Sequence, residues 1–222
     1  DSIKKIFYKT SLGRHGSYLL NNEVNGIKFF NSLKSNNKIK FNYTKKIHYT
    51  RLEIEKIKGL QANYRNSFYK NFSYFEKVTK FYLDNWPKNK NQYSHGDLTL
   101  DNIFFLKKKV IFFDWEFFGS KPKYYGYDLA YFFLSAITLP ALAGRRITKD
   151  DEACFVKLWK KLLAEKINFK IINYPFNFFM SAIKNDRILR QNYIISKKKF
   201  FPFITPVKLK NKIEKLIKIS IS

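Results

Sequence analysis

The chain has 222 residues, enough for one two-lobed domain with a substantial core, and 45% of them are hydrophobic, including 24 Phe and 15 Tyr. Lys and Arg number 43 against 17 Asp and Glu, a formal charge of +26. The basic residues are scattered, and Asn, Ile, Phe and Tyr, also abundant, share AT-rich codons with Lys, so coding bias explains the charge more simply than a nucleic-acid or membrane surface does.

At the amino terminus IKKIFYKTS alternates as a strand does and carries Lys9 near its end. SLGRHGS (11–17) reads as a loop, with Arg14 and His15 as groups able to approach phosphate. NEVNGIKFFNSL then has apolar residues at helical spacing, beginning with Glu23. LEIEKIKG (52–59) reads as a strand entering a linker, or as an ordinary edge strand.

The segment YSHGDLTLDNIFF, followed by FFDWEFF, carries the chemistry. His95-Gly96-Asp97 follows a polar stretch where a loop is expected, and Gly96 permits an unusual backbone beside the acid. IFFL (103–106) and VIFF (110–113) are short aromatic and β-branched runs separated by three lysines, which predicts a hairpin. Asn102 just before the first strand and Asp114 just after the second then end side by side. Phosphoryl transfer needs a carboxylate to orient the attacking hydroxyl and hard oxygen ligands to hold Mg²⁺ on the phosphates. Asp97 suits the first task, and Asn102 with Asp114 the second.

Taken together, HGD-x-x-x-x-N followed by D-W-E resembles the aminoglycoside phosphotransferase and choline kinase family, a branch of the protein-kinase-like fold. GSKPKYYGYDLAYFF is similar to the segment of choline-kinase-type members in which an aromatic-Gly-Asp run opens a buried helix. The resemblance implies an α+β, protein-kinase-like fold. A reduced β lobe over 1–58 would bind ATP, and a mainly helical lobe over 59–222 would carry catalysis and the acceptor. It implies Asp97 as catalytic base with His95 supporting the loop, and Asn102 and Asp114 as metal ligands. Glu116 would add a metal or neighbouring contact. Lys9 and Glu23 would pair at the ATP phosphates, and the backbone near Glu55 to Ile57 would bind adenine. Asp128 would buttress the catalytic loop, a role in competition with helix capping. ATP and Mg²⁺ are the implied cofactors. A small hydroxyl compound is the acceptor, choline or ethanolamine type first, with an aminoglycoside or a sugar as the alternative and a catalytically inactive nucleotide- or RNA-binding relative as a further one. Only eight residues precede Lys9 and the first is Asp, so the family's opening strands and phosphate loop are expected to be truncated.

Beyond this segment helices are expected. The longest apolar run, 129–143, contains Pro140 and is too short for a bilayer, so it reads as a buried helix and no membrane span is expected. Thr148 and Asp151 have the spacing of a capping box, and the helix that follows holds the lone cysteine, Cys154, which excludes an internal disulfide framework. The acidic residues 150–152 suit a helix start. Pro175 opens a helix through FNFFMSAIKNDRILRQNYII, Lys197 to Lys199 read as a solvated loop, and 207–219 form a basic amphipathic helix packed on the domain or laid on a membrane surface. Trp115 and Trp159 are either core or acceptor-pocket residues. No secretory signal is visible, which makes the cytoplasm the expected location, with no specific nucleic-acid partner.

Overall fold

The structure is a computed structural model, which describes residues 6–35, 37–57, 59–63, 65–88, 93–107, 109–119, 124–165, 167–186 and 204–222. Its architecture is mixed α+β, with small antiparallel sheets beside a larger helical part. Strands β1 (Ile6–Ser11), β2 (Phe41–Lys45) and β3 (Thr50–Glu55) form the first sheet in the order β1-β3-β2. The register places Lys9 opposite Leu52 and Tyr43 opposite Leu52 on the other side. Because side chains alternate, Phe7, Lys9, Leu52, Ile54 and Tyr43 share one face. Leu52, at the centre of that face, is wholly buried.

Helix α1 (Arg14–Ser32) buries Leu20, Glu23, Val24, Ile27 and Phe30, the i, i+3, i+4, i+7 stripe of an amphipathic helix. It begins earlier than the sequence suggested. Gly13 is its N-cap, with an extended backbone, and Ser17 N donates to Gly13 O at 2.9 Å. Arg14 to Ser17 are thus the first helical turn and not a loop, lying ahead of the buried stripe, which begins at Leu20.

From β3 the chain runs through Ile57 to Leu60, which pairs with Phe105 through both backbone groups, at 2.9 and 2.8 Å. This bridge ties the first sheet's exit to the second sheet, the hairpin of β4 (Ile103–Leu106) and β5 (Lys109–Phe112). Helix α2 (Phe72–Asn85) packs against α3 (Tyr127–Leu142) and β5. The run 129–143 does form a buried helix: α3 is apolar all round, and Pro140 lies in its last turn.

Helix α4 (Lys149–Leu163) opens with the expected capping box. Thr148 accepts from Asp151 N, and Asp151 Oδ2 accepts from Thr148 N at 3.0 Å. Helices α5 (Phe169–Asn173) and α6 (Pro175–Asn185) follow, with Pro175 at the first position of α6. Helix α6 stops at Asn185, short of the expected span, and Lys197 to Lys199 lie outside the described residues. Helix α7 (Val207–Ile221) buries Ile213, Leu216 and Ile217 and packs on α4, so its apolar face is turned to the domain. Among the described residues no helix is long and apolar enough to cross a membrane. Trp115 and Trp159 are both completely buried core residues.

Candidate functional site

The hairpin does what its pattern predicted. Ile103 pairs with Phe112, and Phe113 N donates to Asn102 O at 3.1 Å, so Asn102 and Asp114 flank one hairpin mouth. Asn102 ends a single turn of 3₁₀ helix, Leu100–Asn102, whose backbone brings it back under the acid loop. Its Nδ2 donates to Asp97 O at 2.8 Å, which leaves the amide oxygen as the end able to face a cation. Asp114 has φ 63°, a left-handed conformation that turns the chain sharply after β5.

The loop holding Asp97 is anchored from below. Asp128, the second residue of α3 behind its N-cap Gly126, accepts from His95 N at 2.9 Å and from Gly96 N at 3.0 Å. This places Asp128 as the buttress of the loop rather than as the helix cap. His95 is fully buried, its Nε2 is 2.9 Å from Phe113 O, and its ring packs on Trp115 at 4.5 Å. It links the acid loop to the end of the hairpin and serves as a structural support. Gly96 has φ 89°, and a Cβ there would lie 2.8 Å from Phe117 O, so the close approach of the two loops requires glycine.

Asp97 is almost completely buried, and Tyr131 from α3 donates its hydroxyl to Asp97 Oδ1 at 3.1 Å. Burial and the Asp97 charge push the Tyr131 pKa well above the ordinary tyrosine value, so it remains a donor. Tyr131 did not stand out in the sequence. It lies in an unbroken apolar run, where nothing marks a hydroxyl that serves a carboxylate.

Lys9 crosses from the sheet to meet this centre. Its Nζ is 2.7 Å from Glu23 Oε2 on α1 and 2.6 Å from Asp114 Oδ1. One ammonium thus joins β1, α1 and the end of β5. Burial disfavours the Lys9 charge, but the Glu23 and Asp114 carboxylates outweigh it and hold its pKa above the ordinary lysine value. Burial raises Glu23 to about 7; Lys9 opposes the shift, and Asp114 and Glu116 add to it. The two carboxylates set the direction for Lys9, and burial sets it for Glu23.

Above Lys9 opens a cleft of about 480 Å³. Ile54, Glu55 and Ile57 line one side of it, Phe104 and Phe113 the other, and Glu23, Lys9 and Asp114 its inner end. The two phenylalanine rings stack at 4.5 Å. The cleft is an apolar slot with a charged end. Glu55 and Ile57 are both among its lining residues, and Glu55 N donates to Lys40 O at 3.0 Å. Phe104, Phe113 and Gln61 are cleft residues that the sequence did not single out.

Glu116 follows in a turn, and its backbone oxygen accepts from Asn22 Nδ2 on α1 at 3.1 Å. Arg14 lines a separate cavity with Lys45, Lys46 and His48, not the cleft of Lys9. Among the described residues no group of three or more His, Cys, Asp or Glu is arranged to hold a metal ion. A hard cation bound through phosphate oxygens, water, one carboxylate and one amide oxygen does not need such a group. No family model matches the chain, and a search of the curated proteins gives no match.

Proposed function

We propose that this chain is the core of an ATP- and Mg²⁺-dependent small-molecule kinase with a protein-kinase-like arrangement of its two parts. The observation that carries the reading is Lys9. It is bonded at once to Glu23 and Asp114, at 2.7 and 2.6 Å, at the inner end of an apolar cleft. Three segments far apart in the chain converge there on the charge pattern that phosphoryl transfer uses.

In this reading the cleft between Ile57 and the Phe104–Phe113 pair takes the adenine, and Lys9 neutralises phosphate oxygens. Asn102 and Asp114 would hold Mg²⁺, which when bound neutralises charge on the phosphates. Asp97, oriented by Tyr131, accepts the proton of the attacking hydroxyl. Asp128 and His95 keep the loop in place while this happens. Little covalent chemistry is asked of the protein; its contribution is position and charge. The acceptor is a small alcohol. The choline or ethanolamine type is preferred on the GYDLAYFF segment, whose Asp128 holds the acid loop, and an aminoglycoside or sugar is the alternative.

The test is transfer of labelled γ-phosphate from ATP to a panel of choline, ethanolamine, aminoglycosides and sugars. We expect Asp97→Asn to lower turnover by about 10²–10⁴ with ATP binding retained, the scale of a positioned acid–base group. Turnover within a few fold of the parent removes Asp97 from the mechanism.

A further inference from the structure

The two carboxylates that hold Lys9 are not equivalent. The Asp114 side chain is 30% exposed and faces the cleft, whereas that of Glu23 is 2% exposed. Glu23 holds Lys9 through Oε2 alone. Its other oxygen, Oε1, is buried and has no hydrogen-bond partner among the described residues. Lys9 therefore has two seats. In the structure it spans both acids. Moving off Asp114, it would keep Glu23, whose second oxygen is otherwise left unsatisfied, a costly condition for a buried acceptor.

We propose that Lys9 is a tethered counter-ion that keeps Asp114 closed to divalent cations until nucleotide phosphates draw the ammonium away. The inference rests on the kinase reading for the identity of that ligand. A carboxylate oxygen 2.6 Å from an ammonium is already neutralised, and a metal ion arriving there meets a like charge at contact distance. Anionic phosphates at the cleft's inner end change the balance. They supply Lys9 with a new partner, and Glu23 Oε1 supplies a second one. Asp114 is then released in the same event that brings phosphate oxygens to complete the cation's coordination. Metal and nucleotide enter together, and the site does not fill with metal alone. Linkage makes the effect reciprocal: whatever Lys9 costs the metal, the metal costs the Lys9–Asp114 contact.

The closing experiment titrates the full chain with Mn²⁺ alone, without nucleotide, and follows the free-ion electron paramagnetic resonance signal. Lys9→Met by itself would strand the buried Glu23 carboxylate, so the informative protein is Lys9→Met/Glu23→Gln. We expect it to bind Mn²⁺ about tenfold more tightly than the parent, within the usual range for coupled sites. Glu23→Gln alone and Lys9→Arg should stay at the parent's affinity, since both keep a cation on Asp114. Adding Asp114→Asn to the double variant should abolish the gain. An unchanged affinity in the double variant, or a gain that survives Asp114→Asn, overturns the proposal. A second measurement does not depend on the Lys9 variants folding. In the parent background Asp114→Asn should change Mn²⁺ affinity by less than about twofold, because that carboxylate is already occupied. A loss of about tenfold or more there also overturns it. ATP binding by the parent is measured separately. Its failure removes the kinase reading, while the Mn²⁺ titrations still decide the role of Lys9.

Discussion

A methyl group on Gly26 would stand 2.4 Å from Cβ of Trp115. Helix α1 therefore meets the residue next to Asp114 with no room for a side chain. Alanine for glycine inside a helix ordinarily stabilises by about 0.5–1 kcal/mol. Here forced overpacking costs about 1–3 kcal/mol and reverses the sign. Gly26→Ala is expected to lower the urea midpoint and to shift the tryptophan emission, because Trp115 stacks on Trp86 at 6.1 Å. A raised midpoint would mean that the two elements do not meet so closely.

The buried acid of α1 makes stability depend on pH. Glu23 is raised from 4.5 to about 7, chiefly by burial. A carboxyl that binds its proton more tightly in the folded chain contributes its full stability below the unfolded value. The contribution is lost as pH rises through the folded one. Glu23→Gln has no proton to lose. Relative to that variant, the parent should weaken between pH 4.5 and 7 by up to about 3 kcal/mol, at about 1.36 kcal/mol per unit. Guanidinium titrations of both proteins from pH 5 to 8 measure this, and parallel curves would rule it out.

Tyr131 and Asp97 give a kinetic prediction. Tyr131→Phe removes one hydrogen bond to a charged group and leaves the ring packed against Phe179 at 5.4 Å. If the chain is the kinase proposed above, kcat should fall about tenfold to a hundredfold with the KM for ATP nearly unchanged, from the roughly 1.5–3 kcal/mol such a bond carries. Equal effects on KM and kcat, or none, would show that the hydroxyl does not orient the base.

Asp128 accepts from two successive backbone N–H groups, and only a carboxylate can accept both in this geometry. Asp128→Asn presents an amide N–H₂ to one of them. The expected cost is about 2–3 kcal/mol, with faster amide exchange at His95 and Gly96. Exchange at those two amides as slow as in the parent would show that another group holds the loop.

Short-range chemistry was legible in the chain. The hairpin around 103–112, both arms of the Thr148–Asp151 capping box and the proline start of α6 are each written within a few residues. The pairing of Lys9 with Glu23 was implied by resemblance and not by any local pattern; in the structure the two are 2.7 Å apart. What escaped depends on distant neighbours. Strand β2 and helix α2 were not read at all, although Phe75, Val78, Phe81 and Tyr82 line the buried face of α2. Gly13 to Gly16 read as loop because their helix is held by a face that begins further on. Phe104 and Phe113 are two among 24 phenylalanines, and only the cleft distinguishes them. Tyr131 is silent for the same reason: its function lies in what it touches thirty-four positions away.

Asp114 occupies a backbone region, φ 63°, that side chains other than those of Asn and Asp seldom visit and that glycine adopts freely. The conformation costs on the order of 1 kcal/mol, and glycine would recover it. A library at position 114 sorted only for heat tolerance should therefore drift to glycine. One sorted for turnover should return to aspartate. The two selections would part company at a single codon, and the gap between their winners would measure how much stability the fold forgoes to keep a carboxylate at this corner.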